Sequence, residues 1–388
     1  MPEVEGDAKP EAEAKPDAEA KPEAEAKPDA EAKPDAEAKP EANAAAKPEA
    51  DAKPEANAAA KPEADARPIA VAGASGFVGG AIAAELDRRG RSVVALTHRP
   101  GAVRGQVPPG SRLATFDVTQ DDQQLPSDLG GLVIALAFHG YPMENPRRGE
   151  TFEAVDAGGT ERLVAAARVA GVSRLVYISG AGAAPDAPRH WFRAKWRAEE
   201  AIRGSGIPWT IIRPTWLYGP RDDALNRFVR LGRRLPFVPM PGDGRSLLAP
   251  VFIGDLAALV ADILGADAIA ARASAAGSVE ASSESAAGAS VGQVFELGGP
   301  ETLTMNEIVR RALAADGRRR PILHAPAALM KALAWPLTFL PRPPLTPDAV
   351  DFVNQPAVVD TGPLLARLPR RLTSLDEGLA TYLGQPAP

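Results

Sequence analysis

From Ile69 onward, short apolar runs alternate with amphipathic helical stretches, and the first run leads directly into Gly73-Ala74-Ser75-Gly76-Phe77-Val78-Gly79. A second apolar run, Ser92–Leu96, follows one helix later. Continuous apolar strands are the mark of a sheet covered on both faces, and helices between them are the crossovers that parallel pairing needs. These observations predict an α/β protein: a doubly wound parallel sheet of the Rossmann type with a smaller C-terminal α/β lobe, preceded by a disordered tail.

The tail is residues 1–66. Lys-Pro recurs there at 9, 15, 21, 27, 33, 39, 47, 53 and 61, and no Leu, Ile, Phe, Tyr or Trp occurs. Without apolar surface to bury, nothing offsets the entropy of ordering such a segment. Its prolines forbid a long continuous helix, so an extended chain is expected. A solubilising spacer and a partner-tethering arm both fit that composition.

The elements then follow in order. Ile69–Ala72 is a strand, Phe77–Arg89 a helix stopped by Gly90, and Ser92–Leu96, Leu113–Phe116 and Leu132–Ala137 are further strands. Thr160–Ala170 is a helix closed by Gly171, Arg174–Ser179 a strand, Arg193–Arg203 a helix and Trp209–Arg213 a strand. The nucleotide-binding domain so read is 67–220, and the smaller lobe is 221–388. In that lobe Leu247–Phe252, Val294–Leu297 and Ile322–His324 read as strands, among helices near 226–235, 254–264, 304–315 and 326–340. Residues 266–290, rich in Ala, Ser and Gly, read as a low-complexity insertion forming a mobile surface loop.

Composition narrows the function classes. The chain has no cysteine, which excludes disulfides and thiolate chemistry. The tail holds 19 acidic and 9 basic residues, so 67–388 keeps 31 acidic and 35 basic, a net of +4. That mild excess suits an anionic cofactor and gives no case for nucleic acid. No secretory signal is evident and no uncharged apolar run reaches ~18 residues. A cytoplasmic protein is expected. His98, His139 and His324 lie far apart in the sequence without supporting ligands, so no metal site is expected.

The glycine run carries the clearest chemistry. Gly73 permits the tight turn, Gly76 lets backbone approach a pyrophosphate, and Gly79 lets the helix pack on the strand. Ser75, Phe77 and Val78 share that loop, and the phosphates would sit at the helix N-terminus. At the end of the second strand, an NAD site usually places a carboxylate for the ribose 2′-OH. Here Thr97-His98-Arg99-Pro100 offers none, and Arg99 suits a 2′-phosphate instead, unless it is only a solvated loop residue. NADP(H) is therefore the expected cofactor. Asp117 follows the third strand, where it accepts from the adenine amino group or caps a helix.

These residues, with Gly159-Thr160, Arg174-Leu-Val-Tyr-Ile-Ser179, Arg213-Pro-Thr-Trp-Leu-Tyr-Gly-Pro220, Pro250-Val-Phe-Ile-Gly-Asp255 and Phe295-Glu-Leu-Gly-Gly-Pro300, resemble the extended and atypical short-chain dehydrogenases/reductases. The likeness spans roughly 68–315 and is nearest the epimerase-like group that includes the NADPH-binding accessory subunits of respiratory complex I. The resemblance implies a Tyr-x-x-x-Lys pair on one helix and a Ser or Thr after the fifth strand. The matching stretch is Trp191-Phe192-Arg193-Ala194-Lys195, so the lysine is kept for the cofactor ribose while an indole replaces the phenol. The family serine falls at Ala181, with Ser179 available only after a local shift, and the family Asn falls at Asp156. Pro214 would line the cofactor. Tyr177, Tyr218 and His190 are the candidate replacement proton donors: Tyr177 is expected inside its strand, Tyr218 under a loop, and His190 remains the least implausible. An indole N–H does not serve as an acid near neutral pH.

Two functions stay open. One is a binding, sensing or accessory protein holding NADP(H) for a partner. The other is a non-classical NADPH-dependent oxidoreductase or epimerase acting on a small carbonyl or quinone-type substrate. The apolar stretch 325–340 reads as a packed helix or as a contact with a protein partner, a quinone or a membrane surface.

Overall fold

The computed structural model describes residues 67–137, 144, 150–275, 290–338 and 345–384. The repeat tail 1–66 and His139 lie outside the described residues. Six strands follow the apolar runs closely: β1 (Ile69–Ala72), β2 (Val93–Thr97), β3 (Arg112–Thr115), β4 (Gly131–Ile134), β5 (Leu175–Ile178) and β6 (Trp209–Pro214). They pair in parallel in the order β6-β5-β4-β1-β2-β3. Ala72 at the end of β1 faces Leu96 on one side and Ile134 on the other. The order reverses between β1 and β4, and ligands of doubly wound sheets bind outside the strand ends at that reversal.

Helices α1 (Phe77–Arg88), α2 (Pro100–Val103), α3 (Gly159–Val169) and α4 (His190–Arg203) fill the crossovers. A single π-helical turn, Glu153–Gly158, leads into α3. Beyond β6 come short strands β7 (Leu217–Tyr218), β8 (Val238–Pro241), β9 (Leu247–Leu248) and β10 (Val251–Phe252), with α5 (Ala224–Arg234) between β7 and β8. Helix α6 (Ile253–Ala275) follows, then β11 (Gln293–Leu297), β12 (Leu303–Thr304), α7 (Met305–Ala315), β13 (Ile322–Ala325) and helices α8 (Ala327–Leu337), α9 (Pro347–Asn354), α10 (Gly362–Arg367) and α11 (Leu375–Ala380).

Because successive strand residues face opposite ways, the sheet builds two cores. On one face Val71, Val133, Val176 and Ile212 pack with Ile82 and Leu86 of α1 and with Leu256, Val260 and Ile263 of α6. On the other, Ala70, Leu132, Ile134, Tyr177 and Ile211 pack with Leu163 of α3 and Ile202 of α4. A third core, around Trp216, Phe228, Met240, Ile308 and Leu379, belongs to the smaller lobe.

Three expectations are corrected. The sequence places Val294–Leu297 among the strands of the lobe, but β11 hydrogen-bonds in parallel to β6 and completes a seven-stranded sheet. Pairing is set by which edge is free, and sequence distance does not reveal it. The single strand expected at Leu247–Phe252 is interrupted by Ala249-Pro250, so β9 pairs antiparallel with β12 and β10 parallel with β7. Proline cannot donate to a ladder. The helix expected at 254–264 continues to Ala275, so 266–275 are helical rather than loop, as alanine-rich sequence favours. The remainder of the insertion up to 289 lies outside the described residues.

Candidate functional site

The glycine run turns between β1 and α1 at the switch point. Gly73 has φ +82°, and a Cβ there would stand 2.5 Å from the Ala135 carbonyl oxygen just past β4. A Cβ on Gly79 would stand 2.3 Å from the Gly73 oxygen, and one on Gly76 3.1 Å from it. The Gly76 N–H donates to the Gly73 carbonyl at 2.8 Å, closing the turn. Helix α1 has no side-chain cap and no acidic residue in its first turn. Its opening N–H groups and positive dipole end are thus left for an anion. Ser75, Phe77 and Val78 flank this cradle, half-buried.

The second strand ends at Thr97, whose hydroxyl accepts from the Arg99 amide at 3.0 Å. That turn projects Arg99 into solvent at the N-terminus of α2, and no side chain among the described residues pairs with its guanidinium. Asp117 lies two residues beyond the end of β3. One carboxylate oxygen of Asp117 accepts from the Thr119 amide at 2.9 Å and its hydroxyl at 2.7 Å. Partial burial acts to raise this carboxyl's pKa. The two Thr119 hydrogen bonds, with His98 and Arg162 nearby, outweigh it and hold the group below its ordinary value. Asp117 therefore stays an anion and an acceptor, and it caps no helix.

At the other end of the crevice, Lys195 projects from α4 beneath the ends of β4 and β5. Its ammonium lies 2.7 Å from Asp156 on the π-helical turn and donates to the Leu136 carbonyl at 2.5 Å. It also sits 5.4 Å from the centre of the Tyr177 ring. Asp156 is only 1% exposed, so this is a buried pair rather than a solvated lysine. Trp191 lies one turn earlier on the same helix, in an aromatic group with Phe152, His190 and Phe192. Ser179 donates to buried Glu199 at 2.6 Å, and Glu199 is held in turn by Arg203 and Arg213. Ala181 follows, its amide donating to the carbonyl of Pro214, which is buried at the end of β6.

A family profile described as NAD(P)H-binding matches residues 73–236, which run from the glycine turn through Lys195 to β6 and α5. The chain is 26% identical over 280 residues to the Arabidopsis thaliana protein named NADH dehydrogenase [ubiquinone] 1 alpha subcomplex subunit 9, mitochondrial, a match covering 70% of this chain and 63% of that one. It is 29% identical over 304 residues to the rice divinyl chlorophyllide a 8-vinyl-reductase, chloroplastic, covering 73% of this chain and 67% of that one. Bacillus cereus UDP-glucuronic acid 4-epimerase, solved with UDP-glucuronic acid and NAD, shares the fold at TM-score 0.57 and 18% identity, over 81% of this chain and 98% of that one. The chain carries an NAD(P)H-binding domain of the Rossmann kind. Its fold is shared with epimerases solved with NAD, and the matched profile marks it as binding a nicotinamide cofactor.

The two tyrosines named as candidate replacement proton donors are sequestered. Tyr177 is fully buried in β5, and burial first, then Asp156 and Glu199, raises its pKa well above the ordinary phenol value. Tyr218 is buried too, donates to the Ser374 carbonyl at 3.0 Å, and is pushed up by burial. His190 lines a cavity of about 320 Å³ with Glu144, Thr151, Phe152, Glu153 and Arg193, its Nε2 3.6 Å from Glu144. The roles of Asp156 as partner to Lys195 and of Glu199 as acceptor for Ser179 were not legible from spacing. Only an acidic residue at the family's Asn position hinted at the first. Among the described residues no cluster of three metal-ligating side chains occurs.

Proposed function

We propose that this protein binds NADP(H) as a structural or sensing ligand and serves a partner, without the family's proton-transfer site. The observation that carries this reading is the environment of Trp191. Its indole nitrogen is buried with no hydrogen-bond partner, and it occupies the place where the resemblance puts the acid. Ala181 lacks a hydroxyl, and Ser179 has committed its own to Glu199. Phe192 further fills the space beside this loop, lying 3.3 Å from where a Cβ on Gly182 would stand.

The cofactor itself fits. The three glycines leave a cradle that any side chain would fill, and Arg99 supplies an unpaired cation where a 2′-phosphate would sit. Asp117 would accept from adenine, Lys195 would donate to the nicotinamide ribose, and Pro214 would line the crevice. A nicotinamide supplies hydride chemistry when bound; Trp191 and Ala181 are not suited to deliver the accompanying proton, and Ser179 has committed its hydroxyl to Glu199. The partner surface we propose is α8, where Leu329, Leu333 and Trp335 are 52%, 57% and 62% exposed. A protein, a quinone or a membrane surface would meet that face, and the location we propose is cytoplasmic.

The cavity beside His190 supports a second reading, a non-classical NADPH-dependent reductase or epimerase using His190 as its acid. NADPH oxidation against a panel of ketones, quinones and sugar nucleotides separates the two. The accessory reading expects background turnover together with measurable NADPH binding. Robust turnover lost in His190→Gln would replace it with the second.

A further inference from the structure

The glycine motif accounts for Gly79 but not for Gly80, which follows it. Gly80 has no positive φ, so its backbone does not require glycine. A Cβ there would stand 3.1 Å from the Ala74 carbonyl oxygen and 2.8 Å from a terminal nitrogen of Arg221, so the residue sits directly under that guanidinium. Arg221 follows β7, outside the first half of the sheet, and reaches back so that its other terminal nitrogen donates to the Ser75 carbonyl at 2.8 Å. The smaller lobe thus places a guanidinium directly on the phosphate loop.

Its surroundings make that placement informative. Two carboxylates follow Arg221 in sequence, and neither takes it. Asp222 turns inward to accept from the Ala224 and Leu225 amides, and Asp223 pairs with Arg227 and Arg230. No carboxylate among the described residues pairs with Arg221, and α1 has none in its first turn. A cation beside the positive end of a helix dipole is repelled unless an anion lies between them. One carbonyl uses one of the five donors, leaving the rest of the fork open for a diphosphate.

We propose that Arg221 is a binding residue for the cofactor's pyrophosphate, closing from the smaller lobe over the loop that cradles it. The inference rests on the nucleotide-site reading above. It differs in kind from Arg99, which reads only the 2′-phosphate: Arg221 acts on the part common to NADPH and NADH.

The test is fluorescence titration of the full chain with NADPH and with NADH, for wild type, Arg221→Gln, Arg221→Lys and Arg99→Gln, alongside melting of each without nucleotide. Arg221→Gln should weaken both nucleotides by about tenfold or more, Arg221→Lys by less, and Arg99→Gln should weaken NADPH alone. Unliganded melting should not move with Arg221→Gln. Wild-type binding that Arg221→Gln leaves intact overturns the role of Arg221 while the nucleotide site stands. Lower melting of both Arg221 variants, with equal affinity loss in the lysine variant, makes the residue a lobe fastener instead. Wild-type protein that binds neither nucleotide removes the site itself.

Discussion

At the scale of single residues, the proposed choice of nucleotide rests on charge and bulk. Among the described residues no carboxylate pairs with Arg99, so a 2′-phosphate would meet an uncompensated guanidinium. Arg99→Asp should remove a preference for NADPH over NADH that exceeds about tenfold in wild type, as paired fluorescence titrations would read. Equal wild-type affinities would defeat the 2′-phosphate argument. A methyl at Gly79 meets the Gly73 oxygen at 2.3 Å, so backbone would have to move. Gly79→Ala should abolish binding of both nucleotides. Trp191→Tyr alone should recover little ketone reduction, because Ala181 still offers no hydroxyl; Trp191→Tyr with Ala181→Ser is the pair to assay. Strong wild-type reduction that survives Lys195→Ala would place the chemistry elsewhere. The glycine turn was legible in the sequence because turn, strand and helix are contiguous. The Lys195–Asp156 pair was not, since its halves come from different elements and one rides on a π-helical turn that no local pattern announces.

At the scale of elements, α5 carries a pH-sensitive start. Asp222 accepts the first amides of that helix from a buried position, and burial, the larger effect, pushes its pKa up to about 6 despite those hydrogen bonds. A raised carboxyl pKa means that folding favours the protonated form. The stabilisation is therefore present below about pH 4 and lost as pH rises through about 6. Wild-type stability should fall by this contribution between about pH 4 and 6, on the order of 2–3 kcal/mol, and the curve for Asp222→Asn should be flatter there. Parallel slopes in the two would show that Asp222 does not titrate in that window. The main-sheet strands were legible because each is a continuous apolar run. The elements after β6 were less so: β9 and β10 are two residues each, too short for a period to show. In α8 the apolar residues do not separate a buried face, since Ala334 alone is fully buried.

At the scale of the whole molecule, the described residues supply their own cores from 69 onward, and the 1–66 repeat contains no Leu, Ile, Phe, Tyr or Trp. Removing 1–66 should leave melting temperature and NADPH affinity unchanged; a drop of several degrees would reveal a role its composition does not predict. The order of the sheet has a different consequence. Strand β6, with Thr210, Ile211 and Ile212 buried, gains its second neighbour only from β11. During synthesis the nascent protein must therefore present a bare apolar edge until residue 297 has left the ribosome, and such edges invite pairing with other chains. A product terminated between β6 and β11 would contain every residue of the glycine turn and Lys195, yet its fate would be set by that exposed margin: capture by chaperones or aggregation, before any nucleotide could be held.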